Sequence, residues 1–357
     1  MNKIKVGILG ATGMVGQRFA KLLSEHPWFE ISVLAASPSS SGKTYSEAIS
    51  GRTYYGDMPD HLKNMRLKCV DEIESICSEV NFVFCAVNMP KEHIRTLEYA
   101  YMMNECPVIS NNSAHRHTPD VPMVIPELNR EHIAVIDAQR RRLGTKYGFI
   151  AVKSNCSIQS YVPLLYPLHK AYGLKSAVIS TYQAVSGAGR SLSGFEEIND
   201  NIIPYIAGED EKSEVEPLKL FGHIENGRIA NAVGMDFFAR CVRVPVSDGH
   251  TASVFATFGT APDLDAIEKL WDSVKPITGL PSSPAKFIYR MNLPDRPQPR
   301  LDRDTENGMA VCAGGLRLCG ENSISFTGLS HNTVRGAAGG AILLAELLTL
   351  EGYIHNR

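Results

Sequence analysis

From its start the chain alternates short apolar runs with polar stretches punctuated by glycine. Residues 3–9 make an apolar run of strand length, Gly10, Gly13 and Gly16 mark a turn, and residues 14–25 follow a helical pattern that Pro27 stops. The pattern predicts strand, glycine turn and helix in that order. A second apolar run at 30–36 completes the crossover, and further strands are predicted at 82–87, 108–111 and 149–152. An α/β domain on a parallel sheet is the expected result.

The texture changes near Cys156. Strands are predicted at 177–184, 239–246, 253–259 and 323–328, between helical stretches at 191–203 and 262–275. These imply an α+β catalytic and dimerisation domain with a mixed sheet over 156–331. Residues 333–350, rich in Ala, Gly and Leu, predict a closing helix, so that 332–357 would return to complete a first domain made of residues 1–155. Pro281, Pro284, Pro294, Pro297 and Pro299 predict a long irregular connection that could serve as an interface arm. No internal repeat or low-complexity tract occurs.

Composition narrows the function classes. The 357 residues are 44% apolar and 21% charged, which is ordinary for a soluble protein and sufficient for two cores. With 36 basic against 38 acidic side chains and no long basic run, the footprint of a nucleic-acid binder is missing. The N-terminal run is broken by Gly7 and Gly10, unlike a signal peptide, and no stretch offers the roughly 20 apolar residues of a membrane span. A cytoplasmic protein without nucleic-acid or membrane partners is expected. None of the eight cysteines forms a C-x-x-C pair, and free thiols in a reducing compartment fit seven of them. Only Cys156 has neighbours that suggest chemistry.

The spacing Gly10-x-x-Gly13-x-x-Gly16 supplies a tight turn, close backbone approach to a pyrophosphate and close helix-sheet contact, with helix N-terminal amides aimed at the anion. This predicts a Rossmann-type dinucleotide site. NAD-specific sites place an acidic residue at the end of the second strand, where this chain reads Ser37-Pro38-Ser39-Ser40-Ser41-Gly42-Lys43. Hydroxyls and Lys43 would accept a 2′-phosphate that a carboxylate would repel, so NADP is the expected cofactor. A solvated Ser-rich loop is the alternative reading.

Lys153-Ser154-Asn155-Cys156-Ser157-Ile158-Gln159 follows a predicted strand and precedes a helical stretch containing Pro163 and Pro167. A cysteine at a helix N-terminus would have its pKa lowered by the dipole and by free amides. Taken alone, a cysteine in such a place is more often a buried structural thiol. Further on, Arg243-Val244-Pro245-Val246-Ser247-Asp248-Gly249-His250 presents a histidine at the exit of an Asp-Gly turn, placed to act as a general base, and an arginine whose fork suits a small carboxylate. A turn histidine and a snorkelling arginine are their bland alternatives.

Together with Gln183 in Thr181-Tyr182-Gln183-Ala184-Val185-Ser186-Gly187-Ala188-Gly189, these motifs in this order resemble the aspartate-semialdehyde dehydrogenase family, its archaeal and fungal branch in particular. The resemblance runs from Gly7 to Asn332-Thr333-Val334-Arg335-Gly336. It implies Cys156 as nucleophile, His250 as acid/base and Gln183 as the group that orients the acyl carbon. It further implies Arg243 for the substrate carboxylate, Glu209 for its ammonium, and Lys212 and Arg116 for phosphate, with Asn112 shaping that end of the pocket. The cofactor would lie along Gly10, Thr12, Gly13, Met14 and Val15, reach Ser37, Ser39, Ser40 and Lys43 at one end, and meet Ser186, Gly187 and Asn332 at its nicotinamide end.

The implied reaction is NADP-dependent reductive dephosphorylation of aspartyl 4-phosphate through a thioacyl enzyme, by a homodimer or homotetramer, with no metal. Two departures stand out: Ser39 replaces an arginine often seen after the second strand, and Gly314-Gly315 stands where another arginine is frequent. The rivals are a malonyl-CoA reductase, which would show no phosphate dependence, and an N-acetylglutamyl-phosphate reductase, which needs no partner for an ammonium. A non-catalytic NADP-binding sensor would tolerate loss of Cys156 or His250.

Overall fold

The computed structural model describes residues 3–356; Met1, Asn2 and Arg357, which the sequence-based domain limits include, lie outside the described residues. Six strands, β1 (Ile4–Leu9), β2 (Phe29–Ala36), β3 (Lys68–Cys69), β4 (Phe82–Cys85), β5 (Val108–Ser110) and β6 (Ile150–Val152), form the first sheet. Its order is β3-β2-β1-β4-β5-β6, and every pairing is parallel. The strands read as nearly continuous apolar runs because helices cover both faces. The order reverses between β1 and β4, so a crevice opens beyond their carboxyl ends, where such sheets bind ligands.

The helix Met14–Leu23 starts at this crevice, and its buried stripe of Met14, Phe19, Ala20 and Leu23 fits the predicted amphipathic pattern. The closing segment packs on this core: Ile342, Leu344 and Leu348 join the same apolar cluster as Val6, Ile8 and Phe84. It is not one continuous helix, however. A π-helical turn at Val334–Ala338 precedes the helix Gly339–Leu350.

The second sheet holds β7 (Leu174–Gln183), β10 (Asp236–Arg243), β11 (His250–Phe258), β12 (Ile288–Met291), β13 (Val311–Gly320) and β14 (Ser323–Ser330); β8 (His223–Glu225) and β9 (Arg228–Ala230) form a separate hairpin. Its order is β10-β7-β11-β14-β13-β12, with parallel pairs at the two ends and antiparallel pairs between them. Helices Val162–Tyr172 and Leu264–Ser273 cover one face, where Trp271 donates its indole N–H to Leu164 O at 2.9 Å and packs edge-on against Phe326. On the opposite face Phe238, Val178 and Phe255 stand side by side on three neighbouring strands and remain exposed.

Two predicted elements need correction. Residues 191–203 contain only single turns at Leu192–Gly194 and Glu196–Ile198. The Ser191 hydroxyl accepts from Gly194 N, and Asp200 takes a positive φ of 51°, so local turn bonds displace a continuous helix. The proline-rich connection is not wholly irregular either, because β12 pairs along the edge of the second sheet once Phe287 and Ile288 are buried. Among the described residues, no helix is long and apolar enough to cross a membrane.

Candidate active site

The glycine turn is shaped by contact as much as by conformation. Gly10 has φ of +84°, and a Cβ there would lie 2.5 Å from Ala86 O, just past the end of β4 across the crevice. A Cβ on Gly16 would fall 2.1 Å from Gly10 O, so these positions admit only glycine if the helix is to start against β1. Thr12, Gly13 and Val15 keep some exposure at the helix start, whereas Met14 is buried. Such a cradle of free backbone fits a pyrophosphate.

Beyond β2, residues 37–43 fold into tight turns in which Ser37 and Ser39 share a hydroxyl hydrogen bond at 3.0 Å. Ser37, Ser39 and Lys43 are exposed and Ser40 is half-buried. Arg66, which sequence reasoning missed, joins them, because a bridge between Thr44 and Arg66 brings its guanidinium to Gly42 O at 2.9 Å. This second cation stands beside the loop that lacks an arginine at Ser39. No local signal announces it, since 24 positions separate Arg66 from Gly42.

The reactive groups converge where β7, β10 and β11 meet the Cys156 loop. Gln183 and Arg243 end β7 and β10 as register partners, and His250 opens β11. Cys156 Sγ lies 3.4 Å from His250 Nε2. Ala184 N–H donates to His250 Nδ1 at 3.0 Å, which leaves the proton of the neutral ring on Nε2, pointing at sulfur. Burial, reinforced by Arg243 and His331, pushes the His250 pKa well below its ordinary value, so the ring stays neutral at pH 7.

Here the expectation of a dipole-activated thiol fails. Cys156 precedes only a single 3-10 turn at Ser157–Ser160, and the following helix starts at Val162. The Ser157 amide is already taken by Asn155 Oδ1 at 2.8 Å. Burial and then Glu209 push the thiol up, against the opposing pull of Lys153, Arg116 and Arg243. A raised thiol pKa leaves less thiolate at pH 7 than an ordinary cysteine has. Iodoacetamide labelling of the ligand-free protein is therefore expected to accelerate with pH past the ordinary thiol range. A plateau with its midpoint below pH 7 would reinstate the activated thiolate.

Arg243 is buried and spends one donor on Ala184 O at 2.7 Å, which orients the rest of its fork. Glu209, also buried, accepts from Asn155 Nδ2 at 3.0 Å, Lys212 Nζ at 2.8 Å and Gln183 Nε2 at 3.3 Å. Burial alone would raise its carboxyl, but Lys212 and these hydrogen bonds outweigh it and hold the group below the usual range. A Cβ on Gly187 would lie 2.7 Å from Arg243 Nη1 and 3.0 Å from His250 Cε1, so the missing side chain keeps room beside both. Asn332 bridges the start of β11 and the segment after β7, accepting from Gly249 N and donating to Ser186 Oγ, each at 2.8 Å. Gly336 lets the π-helical turn close on Cys156, since its Cβ would sit 3.0 Å from the cysteine Cβ.

Two predicted phosphate residues differ in placement. Arg116 is buried and donates to Glu216 Oε1 and Asn111 O, both at 2.8 Å. Asn112 instead turns its amide towards Glu98 and Cys85 at 3.3 Å, inside the first domain, so it braces the loop. Its neighbour Asn111, whose backbone carbonyl accepts from Arg116, has both side-chain polar atoms buried without a hydrogen-bond partner. Asn155 and Glu216 were also missed, although Asn155 adjoins the cysteine and Glu216 repeats the helical spacing of Glu209 and Lys212. Gly314, where an arginine is frequent, has its Cβ position 2.2 Å from Arg296 O, which excludes any side chain there.

The parallel sheet with its glycine cradle, joined to a sheet that sets a half-buried cysteine against a buried histidine, defines the class of nicotinamide-dependent dehydrogenases. Residues 5–136 match the family described as semialdehyde dehydrogenase, NAD binding domain, and residues 165–335 the family described as semialdehyde dehydrogenase, dimerisation domain. The chain is 42% identical over 352 residues to the aspartate-semialdehyde dehydrogenase of Archaeoglobus fulgidus, covering 99% of this chain and 100% of that protein. It is 38% identical to the Aspergillus fumigatus enzyme of that name, with 99% of each covered. The crystal structure of aspartate semialdehyde dehydrogenase with NADP from Candida albicans matches with a TM-score of 0.89 at 35% identity, over 99% of this chain and 100% of that one. The chain belongs to the aspartate-semialdehyde dehydrogenase family.

Proposed function

We propose that the protein reduces L-aspartyl 4-phosphate to L-aspartate 4-semialdehyde with NADPH, in the cytoplasm and as a homo-oligomer. The observation that carries this reading is the 3.4 Å approach of Cys156 Sγ to His250 Nε2 between a buried cation, Arg243, and a buried anion, Glu209. Those charges match a substrate bearing one carboxylate and one ammonium group. An N-acetylated substrate would leave Glu209 without a cation to meet, and a CoA thioester would give Arg116 and Lys212 no acyl phosphate to hold.

In this reading the Cys156 thiolate attacks the acyl carbon, and the bond to phosphate breaks as the thioester forms. Bound NADPH supplies the hydride that reduces this thioester. The resulting alkoxide collapses by expelling the Cys156 thiolate, which regenerates the nucleophile. What the step needs is a hydrogen-bond donor at the alkoxide, and the Nε2–H of neutral His250 suits that role better than the base expected from sequence. Arg243 and Glu209 would hold the two ends of the substrate, with Gln183 beside the acyl group. Arg116 and Lys212, with Asn111, would face phosphate.

The row of Phe238, Val178 and Phe255 supports self-association through the second sheet, since exposed apolar patches of this kind mark interfaces. The deciding assay follows NADP reduction by the purified protein with the semialdehyde, with and without inorganic phosphate. Sustained turnover only with phosphate is expected. Phosphate-independent turnover, or activity on a CoA thioester alone, would overturn the proposal. In the same assay, removing both Lys43 and Arg66 should narrow the preference for NADP over NAD by about tenfold, as two charge-assisted contacts to the 2′-phosphate are lost.

A further inference from the structure

Glu216 has no accessible surface and no part in the reaction outlined above, yet it touches two pieces of the site at once. One carboxylate oxygen accepts from Arg116 Nη1 at 2.8 Å, and the other accepts from the backbone N–H of Asn155, next to Cys156, at 2.7 Å. It sits on the helix Glu209–Leu220, where Glu209, Ser213, Glu216 and Leu220 follow one another at helical spacing and form one buried stripe. Lys219, on the same side, donates to the carbonyls of Arg116, Thr118 and Val121 at 2.7–2.8 Å. The helix that carries the substrate-facing Glu209 and Lys212 thus also grips the guanidinium and the backbone of Arg116.

Stability alone is a poor reason for this arrangement. A buried ion pair gains little over an apolar pair of the same volume, because desolvation offsets most of the attraction. A carboxylate that accepts from a phosphate-facing arginine and from the nucleophile's loop does fix the distance between them. Resting on the function proposed above, we infer that Glu216 is a positioning residue that registers Arg116, and through it the phosphoryl group, against the loop bearing Cys156.

The test uses the full-length protein. In Glu216→Gln the amide oxygen can still accept from Asn155 N–H, but its NH2 faces Arg116 as a second donor, so only the Arg116 half of the link is lost. The apparent KM for phosphate should rise about tenfold or more, while the KM for semialdehyde changes less than about threefold. The single-turnover burst of NADPH formed without phosphate should persist, because it precedes phosphate attack. Glu216→Asp, which keeps the charge on a shorter stem, should recover part of the phosphate affinity. In an Arg116→Met background, Glu216→Gln should add no further loss, since the partner it acts through is gone.

The inference is overturned if Glu216→Gln leaves the phosphate KM unchanged, weakens both substrates equally, or adds fully to Arg116→Met. NADP affinity and thermal midpoint serve as fold controls, and should the glutamine variant not fold, Glu216→Asp carries the same comparison. If Arg116→Met itself leaves phosphate dependence intact, the phosphate assignment fails first and the role of Glu216 falls with it.

Discussion

Cys156→Ala is expected to lower semialdehyde oxidation by roughly 1,000-fold or more while NADP binding stays near that of the parent protein. Cys156 Sγ meets a histidine ring nitrogen, His250 Nε2, at 3.4 Å. The glycine cradle of β1 stands apart on the first sheet, so cofactor binding should survive the change. Cys156→Ser should be almost as damaged, because an alcohol placed in a site that raises a thiol pKa will ionise even less readily. Steady-state NADPH formation and a separate cofactor titration check both halves. Near-normal turnover by the alanine variant would remove the covalent intermediate from the mechanism.

Arg243→Lys is expected to cost roughly 100-fold in turnover, with a smaller rise in semialdehyde KM and little change in the phosphate requirement. Under the proposed function the arginine would perform two tasks with one fork: Nη1 is bound to Ala184 O at 2.7 Å, and the remaining N–H groups would hold the substrate carboxylate. A lysine has one mobile ammonium, which must choose between the Ala184 carbonyl and the substrate carboxylate. Ala184 is also the residue whose N–H orients His250, at 3.0 Å, so an unanchored 184 segment would disturb the donor as well as the substrate. Kinetics with semialdehyde and phosphate varied separately, beside those of Lys212→Ala, measure the split. If Arg243→Lys chiefly raised the phosphate KM, or left semialdehyde turnover intact, Arg243 could not be the carboxylate anchor.

The long apolar runs were legible because each is local and carries its own punctuation. Residues 3–9, 30–36 and 82–87 each match an observed strand to within two residues at either end, and Gly10 to Gly16 marked the crevice between β1 and β4. The 191–203 segment was misread as helical because a few apolar residues among polar ones satisfy a helical template, while the Ser191 hydroxyl and the positive φ of Asp200 break it. Edge strand β12 was hidden among prolines, since its pairing depends on β13, which arrives some 20 residues later.

The order of apolar runs, the three glycines and the Ser-Asn-Cys-Ser and Arg-Val-Pro motifs determined by themselves the α/β class, the family resemblance and most of the residues that the fold brings together around Cys156. These features are written in neighbouring positions, and their physical meaning survives without knowing what lies across the core. Only the tertiary structure decided which nitrogen of His250 carries its proton, because that depends on Ala184 N–H, 66 positions away. It alone decided that the Cys156 thiol is raised, through burial and the charge of Glu209, that the Asn112 amide meets Glu98, and that Arg66 meets Gly42 and Glu216 meets Arg116. Protonation states and side-chain directions follow from the dielectric and the partners that a packed core brings together, and distant segments meet only once the chain has folded.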